Sequence, residues 1–235
     1  MTAQKTTVTI PYATLNTFLS VIAALDSEAR LHVEENKLHV SLVDTANVAL
    51  IEMDTTECKT TGASATIGID VITLKKVLMH AKGCNVTIEI AGDNQIIKYG
   101  RFSAKVKEIN ANAIRKDANP PTIELPVTFE TPSKYLIEAL KVGTNKSKCY
   151  LFTKKGVVFF SVETDTMCIR EIIGETKSRL AVKSQYNTAY MKEFLKTVFG
   201  CSLNICINQD HPVKITTEKD GCNIMFMLAP RVEND

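Results

Sequence analysis

Seven of the lysines in this 235-residue chain fall at helical spacing, and they define the chemistry on offer. Lys75, Lys76 and Lys82 lie in one segment, Lys134 and Lys141 in a second, and Lys192 and Lys196 in a third. Ammonium groups on a polar helix face perform no covalent step alone. They attract phosphate oxygens, release condensed counterions, and do so without reading base sequence. Other reactive residue types lack the spacing that catalysis needs. There is no GxxxxGK[ST], GxGxxG, GxSxG or HExxH. The four histidines (32, 39, 80, 211) and seven cysteines (58, 84, 149, 168, 201, 206, 222) contain no CxxC and no closely paired ligand set. No metal site and no cofactor is therefore expected, and the thiols read as reduced and mostly buried. Asp44 and Asp165 close corresponding segments, Val43-Asp44-Thr45 and Glu163-Thr164-Asp165, which reads as a duplicated turn and not a carboxylate dyad. The weight falls on a binding protein that is not an enzyme.

Composition narrows the class. The formal charge of +2 is close to neutral, so a basic lining on some helices implies acidic surface elsewhere. No apolar run approaches the roughly 18 residues that span a bilayer. Met1-Thr2-Ala3-Gln4-Lys5 opens without the apolar core of a signal peptide, so an intracellular protein with no membrane partner is expected.

Four segments have the periodicity to carry those lysines. Thr14 to Leu25 places Leu15, Phe18, Leu19, Ile22 and Leu25 on one face and Asn16, Thr17, Ser20, Ala23 and Ala24 on the other. Asp70 to Lys82, capped by Asp70, turns Val71, Leu74, Leu78 and Ala81 inward. Ser133 to Val142 starts after Pro132 and buries Leu136, Ile137 and Leu140. Asn187 to Val198, capped by Asn187 and stopped by Gly200, buries Tyr190, Met191, Phe194, Leu195 and Val198. Half-buried strands alternate between them, among them 38–42, 86–90, 102–106, 203–207 and 224–228.

The chain also repeats itself. Leu74-Lys75-Lys76-Val77-Leu78 and Gly83-Cys84-Asn85-Val86 return as Met191-Lys192-Glu193-Phe194-Leu195 and Gly200-Cys201-Ser202-Leu203, at a constant offset of 117 (191 − 74, and again 201 − 84). Arg30 to Leu42 returns as Cys149 to Ser161 at 119. The expected fold is α+β: two tandem domains, 1–109 and 127–235, each built twice from one helix plus antiparallel strands. Residues 110–126, with Pro120-Pro121, form the connecting loop.

Three stretches carry a family resemblance. They are Val43-Asp44-Thr45-Ala46-Asn47-Val48-Ala49-Leu50-Ile51, then Ile114-Arg115-Lys116 with Ile123-Glu124-Leu125-Pro126, and finally Leu228-Ala229-Pro230-Arg231-Val232-Glu233 after His211-Pro212-Val213. Through them, and over essentially its whole length, the chain resembles the DNA sliding clamps of archaea and eukaryotes, the proliferating cell nuclear antigen (PCNA) family. The resemblance implies the DNA clamp fold, a homotrimeric ring with helices inside and sheets outside, closed through edge strands around Arg101 to Glu108 and Met167 to Ile173. It implies a processivity factor that encircles double-stranded DNA without sequence specificity. The seven lysines would face the DNA. Replicative DNA polymerase, clamp loader, DNA ligase and flap endonuclease-type nucleases would be partners through short peptides. Those would dock on Val43, Asn47, Val48, Leu50, Ile123, Leu125, Met227, Leu228, Ala229, Pro230 and Val232, some of them partly core.

The chain departs from the family pattern in places. The first helix offers no lysine, Met79 stands where a basic residue is common, and Asn119-Pro120-Pro121 stiffens the loop in its own way. A subunit of a heterotrimer, a monomeric processivity factor and a small α+β enzyme remain as alternatives.

Overall fold

A computed structural model describes residues 6–231. In chain order the elements are β1 (Thr6–Pro11), α1 (Tyr12–Ala23), β2 (Glu28–Glu34), β3 (Lys37–Val43), β4 (Ala49–Thr55), β5 (Lys59–Thr61), β6 (Ala65–Asp70), α2 (Val71–Val77), β7 (Asn85–Ala91), β8 (Asn94–Tyr99) and β9 (Phe102–Lys107). After a short 3-10 turn at Ala111–Ala113 come β10 (Val127–Pro132), α3 (Ser133–Val142), β11 (Lys148–Lys154), β12 (Val157–Glu163), β13 (Cys168–Glu175), β14 (Lys183–Asn187), α4 (Thr188–Thr197), β15 (Ser202–Ile207), β16 (Val213–Lys219) and β17 (Cys222–Leu228). The architecture is α+β with antiparallel pairing throughout the strand pairs described.

The chain forms two compact units. One takes residues up to Asp44, Ile51–Asn119 and Lys219–Ile224; the other takes Thr45–Leu50, Pro120–Glu218 and the chain from Met225 onward. Two short pieces thus change sides. Lys219–Ile224 is held in the first unit by long-range polar contacts. Thr17 Oγ1 donates to Asp220 Oδ2 at 2.6 Å, and Thr55 Oγ1 donates to the Gly221 carbonyl at 2.7 Å. Thr45–Leu50 is tied to the second unit, where Ala229 N donates to the Val48 carbonyl at 2.7 Å.

The repeat in the sequence is a repeat in topology. Strand order β1-β7-β8-β9 in the first unit returns as β10-β15-β16-β17, and β4-β3-β2-β6 returns as β13-β12-β11-β14. The start of each unit's first helix is pinned alike. Tyr12 N donates to the Cys84 carbonyl at 3.0 Å, and Ser133 N to the Cys201 carbonyl at 2.9 Å. Cys84 and Cys201 follow Gly83 (φ 81°) and Gly200 (φ 83°), left-handed positions that suit glycine. β9 and β13 each stand at the open edge of their sheets.

Caps and stripes locate the helices. Asp70 accepts from Thr73 N, and Asn187 accepts from Ala189 N, so each satisfies a backbone donor that its helix leaves orphaned. Leu15, Phe18, Leu19 and Ile22 on α1, Val71, Leu74 and Leu78 in and after α2, Leu136 and Leu140 on α3, and Met191, Phe194 and Leu195 on α4 are buried. In the second unit Phe194 stacks on Phe226 of β17 with ring centres 4.2 Å apart.

Several expectations need correction. The second helix ends at Val77, not Lys82. The Tyr99 hydroxyl donates to the Val77 carbonyl at 2.9 Å, and beyond it Ala81 N reaches back only to Leu78 O, a tighter turn than an α-helix. Thr17 points inward, because Asp220 gives its hydroxyl a partner. Ile137 and Tyr190 are half-exposed, and Ala139 takes a place in the α3 core instead. The first half of the connecting loop is not a bare strap but is fastened to the first unit. Ile109 bridges to Gly68, Arg115 Nη1 donates to the Asp44 carbonyl at 2.8 Å, Asp117 pairs with His32 at 3.0 Å, and the Ser41 hydroxyl donates to the Ala118 carbonyl.

Candidate nucleic-acid interface and docking surface

The expected lysines divide into two kinds. Lys76, Lys82, Lys134, Lys141 and Lys196 are exposed. Lys75 and Lys192, equivalent at the offset of 117, are half-buried struts between the helices of their own units. Lys75 Nζ donates to Ser20 Oγ of α1 at 3.1 Å, and Lys192 Nζ donates to the Gly143 carbonyl at the end of α3. Each strut is thereby held back toward its own unit and loses reach. Asp70 holds α2, and with it Lys75 and Lys76, in place. The Thr73 hydroxyl and then the Thr73 amide donate to the Asp70 carboxyl, keeping its pKa below the ordinary 3.8.

The second unit gathers its lysines around a cleft. Between α3 and α4 lies a hollow of about 300 Å³, lined by Ile137, Leu140, Lys141, Asn145, Lys192 and Lys196, with Glu193 and Leu195 completing the wall. Lys196 Nζ pairs with Glu193 Oε1 at 2.6 Å, one helical turn away. Such an exposed pair is worth about 0.2–1 kcal/mol and exchanges readily with solvent. The cleft sets ammonium groups beside an apolar floor of Ile137, Leu140 and Leu195. Lys134 lies 5.0 Å from the centre of the Tyr135 ring and is outside this group. Glu193 and Asn145 were not anticipated as cleft residues. The i, i+3 spacing of Glu193 and Lys196 is the signal that was available for Glu193.

The expected docking residues sort by exposure. Ile123 and Leu125 in the loop are half-exposed, as are Val48, Ala229 and Pro230, while Asn47 is exposed and takes a left-handed turn (φ 58°). Asn208 Nδ2 donates to the Glu124 carbonyl at 3.1 Å and so positions the loop between Ile123 and Leu125. Sequence reasoning missed Asn208, for it lies 84 positions away with no local pattern. Leu228 is 0 % exposed, and Leu50 and Met227 are also buried. These three form floor and core; no incoming side chain can touch Leu228 without displacing a neighbour. Val43 closes β3 in the first unit, whereas the other described members belong to the second. Val232 lies outside the described residues.

No family model matches the chain. Individual proteins do. A DNA polymerase sliding clamp of Methanosphaerula palustris is 34 % identical over 233 residues, covering 92 % of this chain and 94 % of the relative. This chain belongs to the DNA polymerase sliding clamp family. A sliding clamp of Methanoculleus marisnigri is 28 % identical over the same coverage. Among solved structures, Archaeoglobus fulgidus PCNA bound to the C-terminal region of FEN-1 superimposes with a TM-score of 0.87 at 26 % identity, covering 98 % of this chain and 100 % of that one. Thermococcus kodakaraensis PCNA gives 0.85 at 17 % identity, covering 96 % of this chain and 100 % of that one, which is a likeness of fold. The clamp fold and the α+β duplication expected from the sequence are thus what the chain has.

Proposed function

We propose that this clamp works as a homotrimeric ring around double-stranded DNA, tethers a replicative DNA polymerase, and docks ligase and flap endonuclease tails beside the connecting loop. A clamp loader would open it. The chain would supply binding and tethering and no chemical step of its own. The observation that carries the ring is the pair of open edges, β9 in one unit and β13 in the other. Exposed apolar side chains stand at these edges, where an edge in a monomer is usually blunted: Phe102 of β9 is 43 % exposed, and Met167, just before β13, 46 %. A head-to-tail contact between two different edges closes into a ring when its rotation divides a full turn. Four α-helices per chain among the described residues would bring twelve (4 × 3) to such a ring, with Lys76, Lys82, Lys141 and Lys196 the best placed for DNA and Lys75, Lys134 and Lys192 nearby.

Docking rests on the half-exposed Ile123, Leu125, Val48, Ala229 and Pro230, and it is supported by the FEN-1 C-terminal region bound to the A. fulgidus relative. A short tail that orders on binding would reach about micromolar affinity. Light scattering across a dilution series tests the ring. A stable mass of three times 26.0 kDa is expected, and a monomer would overturn the homotrimer and point to partner subunits. For docking, Ile123→Asp should abolish binding of a FEN-1 C-terminal peptide while the mass stays unchanged. Full affinity in that variant would exclude the loop surface.

A further inference from the structure

The two units present one sheet face in two conditions. In the first unit, the face of β4-β3-β2-β6 that carries His32, His39 and Ser41 is met by the chain's own connecting segment, through Asp117 on His32 and the Ala118 carbonyl on Ser41. The strands β2 and β3 return as β11 and β12 at an offset of 120, one more than the 119 expected from the sequence, so these three positions become Phe152, Phe159 and Ser161, and Thr66 becomes Lys183 at 117. The register repeats too: Phe152 faces Phe159 and Lys183, as His32 faces His39 and Thr66. In the second unit the Phe152 and Phe159 rings stack at 5.0 Å, with the Arg170 guanidinium 5.3 Å over Phe152 and Lys183 Nζ 4.5 Å from the Tyr150 ring. Beside them, opposite Phe159, Ile172 is 63 % exposed.

We infer that this face of the second unit, centred on Phe152, Phe159, Arg170, Ile172 and Lys183, docks an extended segment of a partner protein that alternates acidic and apolar side chains. In the first unit this face already meets the chain itself, a carboxylate at position 32 and a carbonyl at position 41. In the second unit the serine recurs as Ser161 but is only 2 % exposed, so it takes no part. The histidine that met the carboxylate is replaced by Phe152, with the Arg170 guanidinium over its ring and Lys183 opposite it in register. Apolar side chains would lie along the Phe152–Phe159–Ile172 row, and carboxylates would reach Arg170 and Lys183. Across the face the cations Lys148, Lys154, Arg170 and Lys183 outnumber Glu163 and Glu175, so charge complementarity selects an acidic partner. The inference needs neither the ring nor the docking surface beside the connecting loop.

The test uses the intact chain and a dye-labelled ten-residue peptide of alternating glutamate and leucine, read by fluorescence anisotropy. Saturable binding at about micromolar concentration is expected, weakening with salt. Lys183→Glu and Ile172→Glu, each checked for an unchanged melting curve, should each weaken it by about tenfold. Ile123→Asp should leave it intact. Absent saturation, loss of binding in Ile123→Asp, or indifference to both Lys183→Glu and Ile172→Glu would overturn the inference. Equal or tighter binding of a lysine–leucine peptide or of oligothymidylate would overturn it as well, the latter by making the rings a base-stacking platform.

Discussion

Glu193 restrains the basic cleft, and removing its charge should strengthen DNA binding. Its carboxylate holds Lys196 Nζ at 2.6 Å, and both side chains are more than half exposed. Glu193→Gln deletes one negative charge per chain and frees Lys196 toward the hollow it shares with Lys141 and Lys192. Because the pair is solvated, stability should change by no more than about 1 kcal/mol. DNA affinity responds differently. Each phosphate newly neutralised steepens the dependence of log K on log salt by about 0.9. Between 200 and 50 mM salt, one added contact per bound chain therefore gains about 3.5-fold over the unaltered protein. Fluorescence anisotropy with a labelled linear duplex, titrated at four or five salt concentrations, reads the slope directly. A steeper slope with an unchanged melting temperature is expected. An unchanged or shallower slope would refute the reasoning, since it would mean that Lys196 does not meet phosphate even when released.

Other consequences follow from single contacts. A β-carbon at Gly68 would sit 2.2 Å from the Ile109 carbonyl oxygen and 2.9 Å from its carbon, both backbone. Gly68→Ala should cost about 1–3 kcal/mol, and limited proteolysis should cut more readily within residues 109–119; an unaltered digest would contradict the fastening of the loop. Asp70→Ala removes the α2 cap at a cost of about 1 kcal/mol near neutral pH. The folded pKa of Asp70 lies below 3.8, so the cap contributes fully above that value and its contribution is lost as pH falls below it. Acid titration of both proteins should show the gap in stability closing there. Burial pushes the thiol of Cys149 up to about 11 and that of Cys222 to about 12, whereas Cys168 is exposed. An alkylating agent at pH 8 should label Cys168 first and leave Cys149 and Cys222 untouched until unfolding, as mass spectrometry would read.

What lay open in the amino-acid sequence was whatever its neighbours in the chain decide. Asp70 and Asn187 cap helices because each side chain reaches an amide two or three residues on. Gly83 and Gly200 turn left-handed because both close the turn before a strand. The offset of 117 carried the duplication, and with it the two-unit, two-helix plan. The lysines were legible as a set, and the family was legible from three short stretches. Distance along the chain hid the rest. The Tyr99 hydroxyl, 22 positions on, marks the last α-helical turn at Val77; Asp220, 203 positions away, turns Thr17 inward; Asn208 holds the loop at Glu124. Which ammonium groups are tied down within the fold was likewise decided by Ser20, Gly143 and Glu193. A cap or a turn is a contact between near neighbours whose closure costs little entropy, so composition and spacing suffice to specify it. A contact between remote segments exists only when both sheets of a unit have assembled, and so the availability of each lysine and the depth of Leu228 are properties of the tertiary structure alone.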